Sequence, residues 1–223
     1  TGLSTSASLG RDTEHVTREE LLRAVPEAGA FPVLPRADRA ALLVIDMQEE
    51  FRAVAAPIIP KVRTVIDACR TASVPVIYTQ HGHTDPVHDG GMLSQWWGEL
   101  IIKGTPEWEI LPEVAPLPDE LVVAKSRYSA FYRTSLARTL RHLRIRDLLI
   151  AGVMSNLCCE TTAREAFVRD FRVFFLADGT ATEGEGYHHA TLRNLAYGFA
   201  YLLTCDEAVG ALGGQGAGGA GIT

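Results

Sequence analysis

The sequence predicts a single-domain α/β protein, three layers deep, with helices on both sides of a mostly parallel sheet. Three observations carry that expectation. Runs such as 40–45 and 148–153 are apolar without interruption, the pattern of strands buried on both faces, as in parallel sheets. They alternate with segments whose apolar residues recur at helical spacing, the rhythm of a sheet covered on both sides. A chain of 223 residues with 47% hydrophobic content is long enough for one such domain with a sizeable core.

The elements follow in order. Residues 1–15 are rich in Ser, Thr and Gly, and 17–24 reads as a short helix opened by a capping box from Thr17 to Glu20. Pro26, Pro32 and Pro35 mark an extended connector, so 1–35 is read as an N-terminal arm and 36–212 as the domain. Residues 40–45 form the first strand, ended by Asp46. Residues 57–71 form a helix with Ile58, Val62, Val65, Ile66 and Cys69 at helical spacing. The second strand is 74–79, with Gln80 just past it. Residues 81–118 are a long connection holding Trp96, Trp97 and Trp108, and a connection of that length in a small domain is usually functional. The third strand, 121–124, ends at Lys125, and 134–143 is a helix. The fourth strand ends at Val153. Ser155 and Asn156 are helix-starting residues, and 158–169 reads as a helix with small residues on one side. The fifth strand is 172–177, ending at Asp178. A helix over 187–195, a strand over 199–204 and a short helix over 206–212 close the domain. A Gly/Ala-rich tail, 213–223, follows.

Bulk properties exclude several classes. Net charge is −6 and no basic run occurs, so nucleic acid is not an expected partner. No apolar stretch approaches the about 18 residues of a membrane span. Residues 1–11 lack the apolar core of a signal peptide. The four cysteines, Cys69, Cys158, Cys159 and Cys205, form neither a disulfide framework nor a C-x-x-C pair. The expected setting is a reducing cytoplasm. His81-Gly-His83 reads as a wet loop rather than a metal pair. Neither a metal nor another cofactor is expected.

Asp46, Lys125 and Cys158 each lie at or just past the carboxyl end of a predicted buried strand, or in the turn after it. In a parallel sheet those ends share one edge, where the binding crevice lies. A thiolate is a nucleophile, a carboxylate can carry its proton, and an ammonium favours both anions. Each residue alone has a plainer reading: the Asp as a turn residue, the Lys as a solvated charge, the Cys as a small hydrophobe. Their coincidence at three strand ends favours a site. A helix N-terminus after the fourth strand would also acidify the Cys158 thiol.

Three segments carry a family likeness: Leu43-Val-Ile-Asp-Met-Gln48, Lys125-Ser-Arg-Tyr-Ser-Ala-Phe131 and Gly152-Val-Met-Ser-Asn-Leu-Cys-Cys-Glu-Thr-Thr-Ala-Arg-Glu-Ala166. Together they resemble the isochorismatase-like cysteine hydrolase superfamily, over about residues 40–208. The resemblance implies a six-stranded parallel sheet and an Asp–Lys–Cys triad, which falls on Asp46, Lys125 and Cys158. It also implies an oxyanion hole from the backbone N–H groups of Met154 and Cys158, with a cis peptide between Val153 and Met154. Cys159 falls where the family has an apolar residue and is read as packing. The family tends to form homo-oligomers, dimers or tetramers.

Departures from the family narrow the activity. True isochorismatases resemble the chain around Gln80, Trp96-Trp97-Gly98 and 127–131, but many have Gly where Cys158 stands. Their substrate-pairing arginine falls on Gly90 here. Nicotinamidases hold a metal through an Asp-x-His element, and the segment after Asp46 has no His. The expected function is covalent C–N hydrolysis of an amide, ureido or lactam group of a small molecule. The alternative is vinyl-ether hydrolysis, with Asp46 as acid and no thiol. Gln80, Trp97 and Tyr128 are the expected substrate contacts. Trp96, Trp108, Phe131 and Tyr132 are read as pocket or packing residues, and Glu185, His188 and His189 as helix surface.

Overall fold

In the computed structural model, which describes residues 33–213, six strands form one sheet: β1 (Ala40–Ile45), β2 (Val76–His81), β3 (Leu121–Lys125), β4 (Asp147–Val153), β5 (Arg172–Ala181) and β6 (Tyr201–Leu203). Their order is β3-β2-β1-β4-β5-β6, and every pairing is parallel. The α-helices longer than four residues are α1 (Ile59–Thr71), α2 (Met92–Trp97), α3 (Leu136–His142), α4 (Glu160–Phe167), α5 (Glu185–Gly198) and α6 (Cys205–Gly213). The helix expected at 17–24 and the tail beyond Gly213 lie outside the described residues.

The three layers follow from side-chain alternation. Leu42 and Val44 of β1 pack with Val62 and Ile66 of α1 and Ala208 and Leu212 of α6. Leu43 and Ile45 face the other way, into a cluster with Leu136 and Leu140 of α3, Ala163 and Ala166 of α4, and Leu192 and Leu195 of α5. Every residue of β1 and of β4 is therefore buried, which is why their sequences carry no polar alternation. Among the described residues no helix is long and apolar enough to cross a membrane.

The chain runs outward through β1, β2 and β3, then returns to place β4 on the other side of β1. The β1/β4 boundary is thus the point where strand order reverses, and a crevice opens there beyond the carboxyl ends. Asp46 follows β1, and the turn bearing Cys158 follows β4.

Several boundaries differ from the sequence expectation. β2 runs to His81, because Gln48 Oε1 accepts the His81 N–H at 2.7 Å and Lys125 O accepts the Gly82 N–H at 3.0 Å. His81 and His83 are consequently buried, not in a wet loop. Lys125 is the last residue of β3 rather than the residue after it. β5 continues to Ala181 through a register shift opposite 150–152, an irregularity of the kind that re-aims strands beside active sites. The helix expected from Cys158 is preceded by a π-helical turn, Ser155–Cys159, and the α-helix itself begins at Glu160.

Gly152 is where β4 lies tightest against β1. Its φ is +119°, and a Cβ there would sit 2.1 Å from Ile45 O and 2.7 Å from Ile45 N. Both neighbours are backbone atoms in the sheet centre and cannot step aside. Gly152→Ala is expected to cost about 3–5 kcal/mol through strain and overpacking. The urea midpoint measures it, and an unchanged midpoint would refute this account.

Candidate active site

Asp46 leaves β1 with φ of 50°, a left-handed conformation that Asp tolerates better than most residues. Its carboxylate is fully buried. Thr79 Oγ1 donates to Oδ1 at 2.6 Å and accepts the Asp46 N–H at 3.2 Å. Lys125 Nζ stands 2.7 Å from Oδ2. The same ammonium donates to Arg127 O at 3.0 Å and to Cys158 Sγ at 3.3 Å. Two hydrogen bonds and the ion pair to Asp46 thus hold the ammonium between carboxylate and sulfur. The thiol is also near enough to Asp46 for the carboxylate to raise its pKa.

The electrostatics correct one expectation. Burial pushes the Cys158 thiol up to about 12, although Lys125 draws it down; Asp46 adds to the rise. Helix position does not make this thiol acidic at rest, because desolvation of the anion outweighs the neighbouring charge. Burial disfavours the Lys125 ammonium, but the Asp46 charge and the sulfur outweigh it, and its pKa is raised. Burial thus favours the neutral form of the thiol beside the Asp46–Lys125 ion pair.

The turn after β4 is fastened on two sides. The Val153–Met154 peptide is cis. Met154 O accepts the N–H groups of Leu157 and Cys159 at 3.1 and 3.2 Å, bracketing Cys158. Thr182 Oγ1, just past β5, donates to Asn156 Oδ1 at 2.6 Å. His188 Nδ1 lies 3.0 Å from Ser155 Oγ, and its Nε2 donates to Ala177 O at 3.0 Å. His188 is therefore half-buried between α5 and the turn, not on the helix surface as the sequence suggested. Cys159 is fully buried in the core, as expected of a packing residue.

Beside this turn lies a cavity of about 600 Å³. Trp96, Trp97, Tyr128, Met154, Leu157 and Tyr187 contribute to its wall, together with Thr182 and Glu183. Trp97 Nε1 donates to Tyr128 Oη at 2.8 Å, which joins two of the expected substrate residues. Among the described residues no lysine or arginine lines the cavity, and Glu183 is the one charged wall residue. Gln80 is not on this wall, and its amide N–H₂ donates to Trp108 O at 3.0 Å. Phe131 is core, stacked on Phe171. Trp108 packs over Gly82. His83 Nδ1 pairs with Asp89 at 2.9 Å. Among the described residues no three His, Cys, Asp or Glu side chains are grouped to hold a metal ion.

Sequence reading missed four residues: Gln48, Thr79, Ser155 and His188. Gln48 clamps the ends of β1 and β2 to the long connection, through His81 and Trp108 O at 2.8 Å. Its place two residues after Asp46 was the available signal. Thr79 and Ser155 are small hydroxyls whose partners are distant in sequence, and periodicity does not mark them.

Comparison with known proteins places these residues in context. The family model of the isochorismatase domain matches residues 40–207. Nicotinamidase 3 of Arabidopsis thaliana is 52% identical over 177 residues, covering 78% of this chain and 88% of the relative. The isochorismatase of Bacillus subtilis (strain 168) is 33% identical over 181 residues, covering 78% of this chain but 58% of the relative. A solved cysteine hydrolase from Pseudomonas syringae pv. phaseolicola 1448A superposes with a TM-score of 0.78 at 27% identity, over 83% of this chain and 99% of that one.

Proposed function

The chain belongs to the isochorismatase family, and from that premise we propose that it is an amidohydrolase cleaving a non-peptide C–N bond through a thioester at Cys158. The observation that carries this reading is the meeting of Cys158 Sγ, the Asp46 carboxylate and the Lys125 ammonium at the β1/β4 crevice.

Asp46 takes the proton of Cys158 as sulfur attacks the substrate carbonyl carbon. The carbonyl electrons move to oxygen, and the N–H groups of Met154 and Cys158 hold that oxyanion, each donor worth about 2.7–4 kcal/mol in other enzymes. The C–N bond then breaks, and Asp46 returns its proton to the departing nitrogen. Water attacks the thioester carbonyl, giving its proton to Asp46. The C–S bond breaks, the acid product leaves, and Asp46 returns the proton to sulfur. Lys125 stabilises whichever of carboxylate and thiolate is charged. No metal enters these steps.

The substrate proposed is a small, uncharged, ring-bearing carboxamide of the nicotinamide kind. The relative sharing more identity is a nicotinamidase, and the cavity has aromatic walls. A dicarboxylate of the isochorismate kind would lie against Glu183, with no cation on the wall among the described residues to pair it. The vinyl-ether reading also leaves the thiol without a task. All four cysteines are unpaired and buried, which supports the cytoplasmic setting. A homo-oligomer, dimer or tetramer, belongs to the same proposal and is read by sedimentation.

A panel of amides, ureides and lactams, assayed for ammonia or amine release, tests the reading. Uncharged ring carboxamides are expected to exceed carboxylate-bearing analogues by about tenfold or more in kcat/KM, a difference of about 1.4 kcal/mol. Preference for the anionic analogues would overturn the substrate assignment.

A further inference from the structure

We propose that His188 is a positioning residue for the reaction, acting through Ser155 to hold the turn that carries the oxyanion donors and the nucleophile. The inference rests on the amidohydrolase reading and adds to it a residue from a separate helix.

The hydrogen bonds assign the arrangement. A carbonyl oxygen only accepts, so His188 Nε2 carries the hydrogen given to Ala177 O at 3.0 Å. In the neutral ring Nδ1 is then the acceptor, and the Ser155 hydroxyl at 3.0 Å is the donor. Burial lowers the His188 pKa, Ala177 opposing and His189 adding to the shift, so the neutral ring is the form present near pH 7. Ser155 is fully buried. A hydroxyl in that position needs a partner, and His188 supplies it. The imidazole is thereby fixed between β5, through Ala177, and the first residue of the π-helical turn Ser155–Cys159.

The position in the chain gives the bond its consequence. Ser155 follows Met154 directly and stands three residues before Cys158. A shift of its side chain moves both backbone N–H groups assigned to the oxyanion, and misplacement by about 1 Å can cost about 10²-fold in rate. Tyr187, the preceding residue of α5, lines the substrate cavity. One turn of α5 therefore touches the cavity and fastens the catalytic turn. No substrate contact of His188 is needed, so the effect falls on kcat more than on KM.

The test is a double-mutant cycle on the full-length protein. His188→Ala is expected to lower kcat about 10–100-fold with KM changed less than about twofold. Ser155→Ala is expected to do the same, and the double variant to fall no further than either single one. His188→Asn keeps an acceptor near the Nδ1 position while losing the Ala177 bond, and is expected to recover most of kcat. A folded His188→Ala protein within about twofold of the wild-type kcat, or losses that multiply in the double variant, would overturn the proposal. If His188→Ala does not fold, Ser155→Ala and His188→Asn decide in the same way. If the wild type releases nothing from any amide, the functional reading has failed instead. The cycle is then read from the rate of Cys158 alkylation by iodoacetamide. Equal, non-additive shifts support the positioning role, and unshifted rates reject it.

Discussion

Cys158→Ala is expected to abolish amide turnover, by about 10⁴–10⁶-fold, while leaving the fold in place. The size follows from the route. Without sulfur no thioester forms, and Asp46 alone would have to drive water against an amide in one step. The structural cost is small, because the side chain loses one atom and a void of that size costs about 1 kcal/mol. Lys125 keeps Asp46 and Arg127 O as acceptors when the sulfur is gone. Cys158→Ser keeps the third acceptor as well and is expected to be nearly as inactive, since a hydroxyl is a poorer nucleophile in the same place. Steady-state ammonia release measures the loss, and mass spectrometry of the wild type, quenched during turnover, shows the acyl adduct on Cys158. A Cys158→Ala protein with more than about a tenth of the wild-type rate would remove the covalent route and leave Asp46 as the agent, as in the vinyl-ether reading.

The sequence showed the sheet clearly because its central strands are buried on both faces. The runs 40–45 and 148–153 contain no polar residue that a helix or an exposed strand would have needed. The three residues of the proposed site were legible for the same reason: Asp46 and Lys125 are polar interruptions at the carboxyl ends of apolar runs, and Cys158 follows β4 by one turn. What stayed hidden depends on contacts between distant segments. His188 reads from the sequence as helix surface, and its bonds to Ser155 and Ala177 are what distinguish it. The extension of β2 to His81 depends on Gln48 reaching across from β1. The state of the thiol was misjudged because a helix start is visible in sequence, whereas the depth of burial that opposes it is not.

The ion pair at the centre of the site makes the second large prediction, and it separates catalysis from folding. Asp46 and Lys125 side chains are both completely buried and 2.7 Å apart. Removing one partner leaves the other as an uncompensated buried charge, at a cost of about 3–5 kcal/mol. Asp46→Asn is the cleaner substitution, because Asn also tolerates φ of 50° and its amide oxygen can still accept from Thr79. Its activity is expected to fall at least about 10³-fold, for want of a proton carrier. Its stability is expected to depend on pH in a way the wild type does not. In the wild type the Lys125 pKa is raised above its unfolded value, so the pair's contribution is fully present below the unfolded pKa and is lost only at still higher pH. In Asp46→Asn the main cause of that rise is gone, and burial, which lowers the pKa, dominates. The unfolded chain then binds the proton more tightly than the native one, and stability rises as pH increases from 6 toward the lysine range. Adding Lys125→Met to Asp46→Asn removes the stranded charge. The double variant is expected to regain much of the stability and to lose the pH slope, because a buried ion pair can often be replaced by apolar groups at little cost. It should regain no activity. Urea unfolding of the three variants from pH 6 to 9, beside ammonia release, decides the matter. An Asp46→Asn protein as stable as the wild type across that range, or a double variant that turns over amide, would mean that the ammonium and carboxylate are not the coupled pair on which the chemistry depends.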